Sequence, residues 1–360
     1  MRMPWPVRRA AGLFLILLTM QVLVAAMAGP AQAAADPSEV LQGRLVYYDV
    51  ARRRPFQLDL VTGRMQALPV SPVAQRRDTS DSWYAGPISG NGELVRIDPI
   101  GNITYHDGKD FSQTGGIDME PLRQMNRMPK FYGARLSGDG RYLLGYWELV
   151  DGQSEPRMFV MTRAGGRVEG DSPLRYRRSD ALFAIDWLPD GRYVYLAGDS
   201  LVVARPGAGV ESQVRLALPS NVGVVQGGLW ASPDGRRVLL LLPQQLNGSA
   251  FGALFVVNLD GSGLRQLTRP SDRMIRARVR LTPAAPTWSP DGRHVAFLMR
   301  GVNPGVYGFA SACGPVFVLP VDGPLQAVDD LEDVGRFGLV PAGRKEALQA
   351  CHATRLIWTR

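Results

Sequence analysis

A short block built on Pro-Asp-Gly recurs along this chain, and its period constrains the fold more than any other feature of the sequence. It reads Trp288-Ser289-Pro290-Asp291-Gly292-Arg293-His294-Val295-Ala296-Phe297, then Trp230-Ala231-Ser232-Pro233-Asp234-Gly235-Arg236-Arg237-Val238-Leu239, and Trp187-Leu188-Pro189-Asp190-Gly191-Arg192-Tyr193-Val194-Tyr195. A fourth copy is Leu136-Ser137-Gly138-Asp139-Gly140-Arg141-Tyr142-Leu143-Leu144, and a weaker fifth is Ser89-Gly90-Asn91-Gly92-Glu93-Leu94-Val95. A sixth keeps only its second half, Gly43-Arg44-Leu45-Val46-Tyr47-Tyr48. The marker glycines 43, 92, 140, 191, 235 and 292 are spaced by 49, 48, 51, 44 and 57 residues.

Each block is a tight turn followed by a strand: Pro sets φ, Asp bonds the local backbone, Gly supplies φ > 0, and alternating apolar residues follow. A second pattern closes the repeat, as in Leu254-Phe255-Val256-Val257-Asn258-Leu259-Asp260-Gly261-Ser262-Gly263-Leu264-Arg265-Gln266-Leu267-Thr268, and again from Gln57 to Leu68. A repeat of this length matches one four-stranded blade, so the chain is expected to be all-β, a six-bladed β-propeller over residues 43–360. The first repeat lacks its leading strand, and Leu356-Ile357-Trp358-Thr359 supplies a candidate. With Trp358 in the slot of Trp288, Trp230 and Trp187, the C-terminal strand joins blade one and closes the ring. The abundance of glycine and proline, 40 and 27 residues, suits many short strands joined by tight turns.

The W-S-P-D-G-(R/K) blocks resemble the propeller repeats of the periplasmic translocation protein TolB, a repeat shared with prolyl-oligopeptidase-like peptidases and some sugar-active propellers. The resemblance covers roughly residues 43 to 360 and implies the fold, not one function. Only residues 34–42 lie between the expected cleavage site and blade one, which leaves no room for the α/β domain that precedes the TolB propeller.

Residues 1–33 read as a secretory signal: Arg2, Arg8 and Arg9 come first, an apolar run spans Ala11 to Ala28, and Ala31-Gln32-Ala33 forms an A-x-A cleavage site. An uncleaved anchor is the alternative, because the run approaches the shortest length that spans a membrane. No later segment is apolar for long enough. Cleavage leaves a short linker, residues 34–42, and takes the net charge from +8 to +5 by removing three arginines, which gives no indication of nucleic acid binding. Export permits disulfides, so a bridge between Cys313 and Cys351 is expected, with two buried free thiols as the alternative. On the chain-entropy model it is worth ~4 kcal/mol. It would enclose the stretch 331–350, where a short helix is expected at 344–350.

Catalytic signals are sparse. His106, His294 and His352 fall in different repeat positions without metal-ligand spacing, and no G-x-S-x-G elbow is present. The related peptidases carry their hydrolase domain after the propeller, where this sequence ends. Asp329, Asp330, Glu332 and Asp333 could hold a hard cation, although solvated turns explain such clusters as well. Turn chemistry accounts for Asp139, Asp190, Asp234 and Asp291. No cofactor is expected.

Positive charge is more ordered. Arg76 and Arg77, then Arg123, Arg127 and Lys130, then Arg175, Arg177 and Arg178, then Arg269, Arg273, Arg276, Arg278 and Arg280 all fall in segments joining one repeat to the next. In a propeller such segments emerge on the face opposite the Pro-Asp-Gly turns, so a basic face is expected, partly offset by Asp78, Glu120, Asp180 and Asp272. The sequence therefore reads as an exported, periplasmic or secreted, non-catalytic module that binds a protein or an acidic envelope component. The alternative is a propeller enzyme, a lyase, lactonase or glycan hydrolase with a cation-dependent site at the channel mouth. Oligomeric state is left open.

Overall fold

Turn-strand alternation recurs through the computed structural model, which describes residues 41–49, 54–68, 93–97, 103–107, 112–117, 129–149, 157–165, 184–224, 228–277, 281–301, 313–328, 337–351 and 356–359. The first sheet holds β1 (Arg44–Asp49), β2 (Arg54–Asp59) and β3 (Met65–Ala67). Next come β4 (Glu93–Ile97), β5 (Ile103–Asp107) and β6 (Gln113–Ile117), and then β7 (Pro129–Leu136), β8 (Tyr142–Leu149) and β9 (Arg157–Thr162). A four-stranded sheet comes after them, β10 (Ile185–Trp187), β11 (Tyr193–Ala197), β12 (Ser200–Arg205) and β13 (Gly209–Arg215). Another is built from β14 (Gly228–Ala231), β15 (Arg237–Leu246), β16 (Ser249–Asn258) and β17 (Arg265–Gln266). After β18 (Thr268–Pro270) and the helix α1 (Asp272–Ala277) come β19 (Leu281–Trp288), β20 (His294–Gly301), β21 (Cys313–Pro320), β22 (Gln326–Val328), β23 (Gln349–Cys351) and β24 (Leu356–Thr359).

The sheets are antiparallel meanders in the orders β4-β5-β6, β7-β8-β9, β10-β11-β12-β13, β14-β15-β16-β17, β19-β20-β21-β23 and β24-β1-β2-β3. A separate two-stranded ladder pairs β18 with β22 in parallel. The lead strands β7, β10, β14, β19 and β24 neighbour one another in that order, which is the propeller-like arrangement.

The apolar runs explain this stacking. In β15, Val238, Leu240 and Leu242 face Val194 and Leu196 of the preceding sheet, while Leu239 faces Val295 and Phe297 of the next one. In β16 the alternation repeats, with Ala253, Phe255 and Val257 on one side and Leu254 and Val256 on the other. Both faces of a middle sheet are therefore buried, so the strands read as near-continuous hydrophobic runs. Five such cores lie between consecutive sheets among the described residues.

Three of the described turns that open a second strand share one circuit. Ser232 Oγ donates to Asp234 Oδ1 at 2.5 Å, Arg236 N donates to the same oxygen at 3.1 Å, and Arg237 N donates to Ser232 Oγ at 2.9 Å. Ser137 with Asp139, and Ser289 with Asp291, repeat it. In the Gly191 copy Leu188 stands in place of the serine, and Asp190 takes the Arg192 Nε donor instead at 2.7 Å.

The structure corrects two expectations. Residues 344–350 form no helix: a turn closed by Arg344 N on Pro341 O leads through a bend at 345–346 into β23, because Leu348 and Ala350 pack into the core beside β21 and Val316 N donates to Leu348 O. Trp230 does not share the slot of Trp288 and Trp187. It stands five residues before its marker glycine, whereas they stand four before theirs, so Ala231 fills that slot.

Candidate functional site

The lead strands carry a set of polar contacts linking one sheet to the next. Four residues before the glycine, the indole Nε1 of Trp187 donates to Arg135 O at 2.8 Å, and that of Trp288 donates to Trp230 O at 3.0 Å. Both carbonyls lie five residues before the glycine of the preceding repeat, so the same contact recurs between different pairs of sheets. Trp358 Nε1 donates to Gln42 O at 2.8 Å, beside the register that pairs Leu45 with Trp358 and Val46 with Ile357.

Side chains at the preceding position also reach the next sheet. Asp186 Oδ2 accepts from Ala231 N at 2.8 Å, and Thr287 Oγ1 accepts from Trp358 N at 3.3 Å. Trp358 and Ala231 thus stand in equivalent places. Arg135, on β7, pairs with Asp186 on β10 at 2.8 Å and also reaches Leu229 O on β14 at 3.3 Å. One guanidinium links three consecutive lead strands. Asp186 Oδ1 further accepts Trp187 N at 2.9 Å, so this carboxylate has three donors and is a structural clamp.

Carboxylates at the turns are likewise engaged. Burial is the largest single influence on Asp139, Asp190, Asp234 and Asp291 and pushes their carboxyls up. Hydroxyl or guanidinium donors, backbone N–H groups and nearby arginine charge outweigh it and hold all four below the usual carboxylate value. They serve the turn, in agreement with the turn chemistry of the repeat. His106 is buried with its Nε2 2.8 Å from Thr104 Oγ1, and His294 is buried at the start of β20. His352 and the acidic group Asp329, Asp330, Glu332 and Asp333 lie outside the described residues. Among the described residues no cluster of three metal-ligating side chains occurs.

Of the basic inter-repeat residues, Arg76, Arg77, Arg123, Arg127, Arg175, Arg177, Arg178, Arg278 and Arg280 lie outside the described residues, and Lys130 is placed by its backbone on β7. Arg269, Arg273 and Arg276 are described, on one segment between sheets. Ser271 Oγ accepts Met274 N at 3.2 Å and caps α1, and Met274 is buried against Trp288 and Phe297. Arg276 is exposed in the last turn, where a cation suits the helix dipole. Arg273 is half-buried, and Arg269 pairs with Asp272 at 3.0 Å. The segment is thus anchored by Met274, with Arg276 exposed at its end.

Two arginines that the charge pattern passes over do structural service. Arg237 reaches Asp322 and Gly292 O, both at 3.0 Å, and lies over the Trp288 ring. Arg265 donates to Gly323 O, Val321 O and Asp322. Both hold the 321–323 turn against the preceding sheet.

No family model matches the chain. No curated protein matches its sequence. Among solved structures it is similar to a protein of Agrobacterium tumefaciens assigned as TolB, at 16% identity and TM-score 0.45, over 79% of this chain and 86% of that one. It is also similar to a protein of unknown function from Bacteroides caccae, at 13% identity and TM-score 0.45, over 89% and 99% of the two chains. The C-terminal WD40 domain of Sif2 is similar at 10% identity and TM-score 0.32, over 71% and 66%. Strand orders and lead-strand contacts themselves make the chain an all-β protein with blades in a propeller-like arrangement, consistent with the TolB-like repeat of its Pro-Asp-Gly turns.

Proposed function

We propose that this protein is an exported, non-catalytic propeller that binds an acidic protein or envelope component through the basic segments joining its blades. The observation that carries the reading is the 268–277 segment, where buried Met274 fixes α1 in place while Arg276 stays exposed. A site prefixed in this way loses little conformational freedom on binding, and its positive charge speeds encounter with an anionic partner.

Six blades belong to the same proposal, with residues 43–360 as the propeller and β24 completing the first sheet. The four four-stranded and two three-stranded meanders support that number, and the pairing of β24 with β1 supports the closure. Residues 1–33 act as the cleaved signal and 34–42 as a linker, which places the working protein in the periplasm or outside the cell. In that compartment Cys313 and Cys351 form a disulfide.

The test is a crosslinking pull-down from the organism's own envelope with wild type and with Arg273→Glu/Arg276→Glu/Arg278→Glu, matched for folding by circular dichroism. A protein or glycan captured by wild type, lost from the variant and weakened by salt supports the proposal. Capture that is equal in both, or absent from both, overturns it.

A further inference from the structure

We propose that the thiol state of Cys313 and Cys351 controls how firmly the last strand is held in the first sheet. The proposal rests on the exported reading for its oxidant, but its geometry is independent of it. In the β21–β23 ladder Cys313 stands directly opposite Cys351, with Gly314 opposite Ala350 and Pro315 opposite Gln349. Directly opposed residues of antiparallel strands have Cα atoms about 4.5–5.5 Å apart. A disulfide bridges Cα separations of roughly 4.4–6.8 Å.

When the bond forms, each thiol loses a proton and the pair gives up two electrons. An extracytoplasmic thiol–disulfide oxidoreductase accepts them, its own disulfide becoming a dithiol. An external dithiol reverses the reaction by taking the bond through a mixed disulfide.

The bond matters for the strand beyond Cys351. Strand β23 has three residues, and Pro315 opposite it brings no N–H to the ladder. Residues 352–355 alone separate it from β24, whose four residues pair with β1. Short terminal strands open most readily. A covalent tie at 351 confines that opening to the residues after it, and without the tie β23 and β24 can fray together.

The experiment takes protein made in a reducing cytoplasm, equilibrates it with mixed reduced and oxidised glutathione, then denatures and alkylates it. The expected result is no alkylation until a reductant is added, and a peptide linking 313 to 351. Two alkylatable thiols after equilibration overturn the proposal whether or not the protein is exported. A bond that forms in glutathione, from a protein that in its own cells is found only in the cytoplasm with both thiols reduced, supports the pairing geometry and counts against the export reading. Hydrogen exchange then tests control: amides of Ile357 and Trp358 should exchange at least ~tenfold faster on reduction. Cys351→Ser should show the fast rate in both conditions. Rates unchanged by reduction of wild type overturn the control of the closing strand.

Discussion

Arg135 and Asp186 meet at 2.8 Å with both side chains 6% exposed, and they belong to the lead strands of neighbouring sheets. Two charges out of water hold together only while each keeps its partner and its remaining hydrogen bonds. Arg135→Ala should therefore cost about 3–5 kcal/mol in urea denaturation, because it strands a carboxylate with only backbone donors. Arg135→Met with Asp186→Leu should recover part of that loss. A single replacement within about 0.5 kcal/mol of wild type would show that the pair contributes nothing net.

Acid should unfold the protein through its turns. Asp139, Asp190, Asp234 and Asp291 have carboxyls held below the usual value in the fold, so the folded state binds fewer protons than the unfolded chain as pH drops. Their contribution is fully present above the ordinary carboxylate range, about pH 4, and is lost as pH falls through the depressed values. Thermal midpoints measured from neutral pH downward should fall below about pH 4. Ser232→Ala with Ser289→Ala removes two of the donors and should cost about 1 kcal/mol each at neutral pH. It should also flatten the acid dependence, and an unchanged slope would dissociate the serines from the effect.

Tyr105 gives a second titration. Burial, opposed by the Arg163 charge and reinforced by Glu93, pushes its hydroxyl up to about 12. Its hydroxyl donates to Arg163 O at 2.7 Å, and the guanidinium lies over its ring while bonding Glu93. Arg163→Met removes the one charge that favours phenolate, so the ultraviolet titration of Tyr105 should move to still higher pH. Movement toward ordinary tyrosine would mean that the ring had become exposed.

Gly145 tests the packing. A Cβ there would lie 2.7 Å from the Phe159 ring and 3.0 Å from Ala134 Cα. Gly145→Ala should cost about 1–3 kcal/mol by overpacking. Phe159→Leu in the same chain should relieve part of this, and a strictly additive double mutant would place the strain against the backbone of Ala134.

The repeat was legible because its turn is local: serine, aspartate and the backbone around glycine bond within six residues, so the pattern stands out wherever a copy keeps them. Trp358 was legible because the first repeat lacked a strand that it could supply. Trp230 misled because an aromatic match outweighed a one-residue count to Gly235. The cap of α1, Ser271 followed by Asp272, stood in the sequence as a start signal but was submerged in a run read for its charge. Nothing in the pattern could reveal the contacts of Arg135, Arg237 and Arg265, since their partners lie in other repeats or in turns between them.

The pairing of Leu45 with Trp358 joins the first described strand to the last. Strand β2 pairs with β1 as soon as residues 54–59 are made, but the other edge of β1 stays open until residues 356–359 arrive. Contacts so distant in sequence form slowly. The first sheet therefore keeps one edge open longer than a sheet whose strands are consecutive in the chain, and it is among the last of the described sheets to be fully paired.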